Sequence, residues 1–113
     1  NLPLANNSVD VVLSIYGLGG INDQDKALDE IVRVSKNNGR IVAVEMSMPP
    51  RGMQIKRIIH RHLTEPIIKR FWAFRNTNLC DLFTRHHIEI EGSQYLEEYI
   101  FGSSTLAYGF IRK

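Results

Sequence analysis

The sequence predicts an α/β fold built on a strand–helix–strand unit, and three observations carry that reading. Residues 9–15 and 41–44 are short runs of β-branched and apolar residues. The segment between them repeats its apolar residues at helical spacing, and the end of the chain changes to an alternation with a period of two.

The first strand is Val9-Asp10-Val11-Val12-Leu13-Ser14-Ile15, apolar on both faces after Asp10, as in a strand covered on both sides within a parallel sheet. Asn6-Asn7-Ser8 supplies the turn before it. After Tyr16-Gly17-Leu18-Gly19-Gly20, Asn22 and Asp23 offer N-cap oxygens to a helix in which Ala27, Leu28, Ile31 and Val32 recur on one face. Lys36-Asn37-Asn38-Gly39 ends that helix, with a cation near the carbonyl terminus and a glycine able to take positive φ. Ile41-Val42-Ala43-Val44 forms a second doubly buried strand. A short strand–helix–strand unit has a right-handed crossover, so the two strands run parallel.

Met48-Pro49-Pro50-Arg51-Gly52 breaks the chain. From Met53 to about Phe74, Ile55, Ile58, Ile59, Leu63, Ile67, Ile68, Phe71 and Trp72 fall on helical spacings. Pro66 interrupts this helix, which either kinks there or begins again with Glu65. Leu79, Leu82 and Phe83 mark a short helix within residues 77–85. Ile88 and Ile90, then Leu106, Tyr108 and Phe110, give two closing strands joined by an irregular stretch around Leu96 to Ser104.

Composition sets outer limits. The 113 residues are 43% hydrophobic and 23% charged, with a net charge of +2, which describes one soluble globular domain and excludes disorder. The single Cys80 makes a disulfide scaffold impossible and favours a reducing, cytoplasmic compartment. No apolar stretch approaches the roughly 20 residues of a membrane span. Asn1-Leu2-Pro3-Leu4 lacks the pattern of a signal peptide and reads like a chain entered midway. One core fits this length, whereas a large enzyme with its own cofactor site would be cramped.

The ordered set Leu2-Pro3-Leu4, Asn7-Ser8-Val9-Asp10-Val11-Val12, Gly17-Leu18, Lys26-Ala27-Leu28, Glu30-Ile31, Arg33-Val34, Lys36, Gly39-Arg40 and Glu45 resembles the carboxy-terminal half of class I S-adenosylmethionine-dependent methyltransferases, closest to the quinone-biosynthesis C-methyltransferase type. The match is dense over residues 2–46 and topological beyond. The resemblance implies half of a Rossmann-like sheet in the order 4-5-7-6, with the last strand antiparallel. Residues 9–15 would be strand 4, 40–46 strand 5, about 87–94 strand 6 and about 105–112 strand 7. The glycine-rich loop and the ribose-binding acid that the family places on strands 1–3 are found nowhere in these residues. Strand 4 would then show an apolar open edge that seeks a second copy or the missing amino-terminal half.

Ligands of open α/β sheets sit at the carboxyl ends of parallel strands. That places Ser14, Ile15, Tyr16 and Gly17 at the cofactor, S-adenosylmethionine by resemblance, and Tyr16, Glu45 and Met46, with Ser47 beside them, at the substrate. The family often has a small hydroxyl residue where Ile15 stands and a polar residue where Gly19-Gly20 stand, so this chain departs from it at both places. Tyr16 has a core or interface role as its plain alternative, and Glu45 has hydrogen bonding to nearby backbone or to a basic partner as its own. No catalytic acid or base is assigned. His60 and His62 lie on different helix faces, and adjacent His86-His87 cannot share an ion, so no metal site is expected and the histidines read as surface or rim residues.

Residues 51–75 hold seven basic residues against the single acid Glu65, a net +6. Interleaved with isoleucines and aromatics, this segment suits an anionic membrane surface, an acidic partner, or simply a helix packed on the sheet with its charges in water. No nucleic-acid partner is expected. Two functions remain at this point: a methyltransferase portion acting on a small, hydrophobic acceptor, and a noncatalytic dimerisation or binding module derived from one.

Overall fold

The computed structural model describes residues 1–49, 52–72, 76–99 and 102–113, with backbone alone at 68, 71, 72, 97–99 and 102. Pro50, Arg51, Phe74, Arg75 and the side chains of Ile68, Phe71 and Trp72, all used in the sequence reading, lie outside the described set. Strand β1 (Val9–Ile15) runs parallel to β2 (Ser35–Met46), with helix α1 (Gln24–Val34) between them. After a second helical region, α4 (Leu79–Arg85) leads to β3 (Ile88–Tyr99) and β4 (Gly102–Ile111). The sheet order is β1-β2-β4-β3, and β4 is antiparallel to both of its neighbours. This four-stranded mixed sheet with its helices is the α/β fold that the sequence predicts.

Asp23 caps α1, its Oδ1 accepting the Lys26 amide at 3.0 Å. The helix stops at Val34, and Lys36 to Gly39 belong to β2 instead of to a helix terminus. Asn38, not Gly39, takes the left-handed conformation, at φ 65°. Gly39 is needed for close approach: a Cβ there would sit 2.9 Å from the Lys36 carbonyl oxygen and 3.3 Å from that of Asp10. The parallel ladder is irregular here, with Val9 opposite Ser35 and Val11 opposite Arg40.

One face of the sheet makes the core. Ile41 and Ala43 of β2 and Ala107 and Ile111 of β4 pack on Leu28 of α1 and on Leu79, Leu82 and Phe83 of α4, all essentially without solvent contact. Burying each large side chain stabilises the fold by about 1.5–3 kcal/mol. The other face is open among the described residues, which corrects the expectation of two doubly buried strands. Register places Leu13, Val42 and Tyr108 in one row and Ile15, Val44 and Leu106 in the next. Leu13 is 65% exposed and Ile15 59%. The strand pattern reports an apolar second face correctly, but no described element covers it.

The middle helix also departs from expectation. It runs as α2 (Gln54–Ile59), a π turn (His60–Thr64) and α3 (Glu65–Trp72). Pro66 has no N–H and would press on the carbonyl four residues back, and the wider turn ahead of it relieves both problems. The Glu65 amide reaches five residues back to the His60 carbonyl. The face buried here carries His60 and Thr64, whereas Ile55, Ile58, Ile59, Leu63 and Ile67 are exposed. A helix packed on the sheet by its isoleucines is therefore not what forms.

Arg33 ties the amino-terminal segment to α1. Its guanidinium grips Glu30 through Nε and Nη2 at 2.8 and 3.0 Å, and it also donates to the carbonyls of Leu2 and Leu4 and to Asn6 Oδ1. That grip, with the Leu2 amide at 2.8 Å, lowers the Glu30 carboxyl from its usual 4.5 to about 2.

Candidate functional site

Parallel pairing of Ile15 with Val44 brings the carboxyl ends of β1 and β2 side by side. Ser14, Ile15, Tyr16 and Gly17 thus lie next to Glu45 and Met46, as the two-strand geometry requires. Tyr16 leaves β1 at φ 51°, a conformation that costs a non-glycine residue energy and that clusters at functional turns. It is held there by its amide, which donates a hydrogen bond to the Val44 carbonyl at 2.8 Å, and by its hydroxyl, 2.9 Å from Ser104 Oγ of β4. Leu18–Gly20 then forms a single 3-10 turn.

Glu45 is fully buried beneath this turn. Its Oε1 accepts the Leu18 amide at 2.7 Å and the Ser14 hydroxyl at 3.5 Å, while Oε2 accepts the Gly19 amide at 3.0 Å. Charge-assisted bonds of this kind satisfy a buried carboxylate and fix the loop that donates them. Glu45 therefore acts on the site through residues 17–19. Gly17 is tight against the same group, since a Cβ there would lie 3.1 Å from Ser14 Oγ.

Several polar residues at this end have no signal in the sequence. Gln24 Nε2 donates to the Leu18 carbonyl at 3.0 Å and to Thr77 Oγ1 at 2.9 Å, and the Thr77 amide donates to the Met46 carbonyl at 2.8 Å. Ser47, which the sequence already set beside Glu45 and Met46, has its Oγ 2.7 Å from Thr105 Oγ1. Beyond Met46 opens a cleft of about 490 Å³ lined by Ser47, Met48, Pro49, Arg57, Asn76–Leu79 and Thr105. That volume suits a small molecule. Among the described residues of that wall Arg57 alone is charged, and it is anchored by an Nη1 bond to the Pro49 carbonyl at 2.6 Å.

The histidines need correction. His60 and His86 are buried rather than on the surface or rim. His60 Nε2 lies 3.1 Å from Asn76 Oδ1, and His86 bridges Asp29 at 3.0 Å and Asp25 at 2.6 Å. The His86 bond, aided by Arg85 at 2.7 Å, lowers the Asp25 carboxyl below its usual value. No group of three potential metal-ligating side chains gathers among the described residues.

Comparison with known proteins addresses the family. A family model described as a methyltransferase domain matches residues 1–43. Demethylmenaquinone methyltransferase of Renibacterium salmoninarum is 45% identical over 51 residues, covering 45% of this chain and 22% of that protein. The enzyme of the same name from Lactiplantibacillus plantarum is 33% identical over 85 residues, covering 75% of this chain and 30% of the relative. The family match, the relatives and the shared fold support a class I methyltransferase. It spans less than a third of the length of these two relatives. A solved S-adenosylmethionine-dependent methyltransferase of Thermotoga maritima shares the fold, with a TM-score of 0.70 at 19% identity, covering 99% of this chain and 60% of the other. The family match over residues 1–43 lies on β1, α1 and most of β2, the elements that build the clamped loop.

Proposed function

We propose that this chain forms the acceptor-holding side of an S-adenosylmethionine-dependent methyltransferase, acting on a small, largely apolar acceptor. The observation that carries the reading is the Glu45-clamped loop at the joined carboxyl ends of β1 and β2, set beside the cleft. The names of the quinone-biosynthesis relatives support it.

The residues present fit one side of the cofactor. Ile15, 59% exposed at the end of β1, offers an apolar surface in place of a hydroxyl. Ser14, Tyr16 and Gly17 border the same space. Bound S-adenosylmethionine supplies an electrophilic methyl group on its sulfonium. The chain's own task is orientation, which accounts for much of the rate of such a transfer. Met48 and Pro49 take the apolar body of the acceptor, and Arg57, Ser47 and Thr105 meet its oxygen atoms. Tyr16 and Met46 lie at the carboxyl ends of β1 and β2. A glycine-rich loop and a ribose-binding carboxylate come from a polypeptide segment that pairs with the outer edge of β1.

Titration of the chain with S-adenosylhomocysteine, followed by amide NMR, tests this. Weak binding with shifts centred on Ser14 to Gly17 is expected. Tight 1:1 binding by calorimetry would remove the need for a completing segment, and unmoved amides there would remove the cofactor-side assignment. The noncatalytic reading rests on the open edge of β1 and gains if those amides do not respond.

A further inference from the structure

The helical segment 54–72 turns an apolar stripe away from the protein. Ile55 is 76% exposed, Ile58 59%, Leu63 48%, Ile67 44% and Ile59 37%. Isolated exposed leucines and isoleucines are ordinary, but five on one helical surface form a patch. Its straightness has a structural cause. In an uninterrupted α-helix at 3.6 residues per turn, residues four apart drift by about 40° per step. The π turn at His60–Thr64 holds more residues per turn, so it rotates the opposite way and keeps Ile55, Ile59, Leu63 and Ile67 nearly in line. The opposite side is anchored by buried His60 and Thr64. The segment therefore presents its apolar side outward while attached to the fold.

Charge selects the partner. Lys56, Arg57, Arg61, Lys69 and Arg70 share the segment with one acid, Glu65, whose Oε1 lies 3.3 Å from Lys69 Nζ. An apolar stripe flanked by cations is the pattern of a helix lying in a membrane interface, where aliphatic side chains enter the acyl boundary and Lys and Arg meet anionic headgroups. No helix among the described residues is long and apolar enough to cross a membrane, so a helix of this kind lies along the surface. We propose that residues 54–72 dock the protein on an anionic lipid bilayer, with Ile55, Ile58, Ile59 and Leu63 as the inserting side chains.

Sedimentation with phosphatidylcholine vesicles, with and without phosphatidylglycerol, tests this directly. The chain is expected to pellet with the anionic vesicles, to release as salt is raised, and to ignore the neutral ones. Ile55→Ser with Ile58→Ser, two exposed substitutions that leave the core untouched, should weaken binding by about tenfold or more. Lys69→Glu with Arg70→Glu should abolish the preference for anionic lipid. Equal binding to both vesicles, binding to neither, or a serine double variant that binds as well as the parent would overturn the proposal. So would a self-associating chain that the serine variant turns into a monomer, because the stripe would then belong to a second copy.

Discussion

Glu45 shows what can and cannot be read of a buried carboxylate from its position in a sequence. At the end of an apolar strand it suggests a substrate contact, a proton acceptor or hydrogen bonding to backbone, and the structure shows the last, both oxygens taking up backbone amides 26 and 27 residues away. Those donors become visible only once β1 and β2 are known to be parallel neighbours. Glu45→Gln keeps the shape but offers one acceptor and one N–H group where two amides need acceptors. We expect a loss of about 1.5–3 kcal/mol, from the strength of hydrogen bonds to a charged group, read as a lower urea midpoint with an unchanged slope. Tyr16 was legible in its place but not in its partner, because Ser104 lies 88 residues further on.

At the level of elements, local periodicity carried β1 and α1 almost to their observed ends, because each has a covered face with the appropriate repeat. The closing strands are longer than that pattern suggests. Gly92, Gly102 and Gly109 and the run Ser103-Ser104-Thr105 blur the alternation, while ladder bonds to β2 and β3, which do not depend on side chains, hold the backbone extended. Gly109 has a definite reason: a Cβ there would fall on the Glu89 carbonyl of β3, a backbone atom that cannot rotate away. Gly109→Ala should therefore part β3 from β4 and cost about 1–3 kcal/mol, detectable as faster amide exchange along Ile88 to Ile90. The middle helix was the least legible element. Its isoleucine spacing correctly gave helix, but spacing alone cannot say which surface faces inward, and His60 and Thr64 occupy that side.

At the scale of the whole molecule, the described residues form a sheet with one covered face and one open one. An apolar strand edge continuous with exposed Val11, Leu13 and Ile15 invites pairing. The chain on its own should associate with rising concentration, and Leu13→Lys should suppress this without touching the covered core; light scattering that finds a stable monomer at every concentration would refute edge pairing. Strand order carries a further consequence. β4 is the last of the four strands in chain order, yet it lies between β2 and β3. During synthesis the first three strands emerge without their central member, so β2 and β3 cannot join until residues 102–111 arrive. Biosynthesis and assembly thus run in different orders. The βα unit of β1, α1 and β2 has its strands paired without β4, whereas β3 joins them only through residues 102–111.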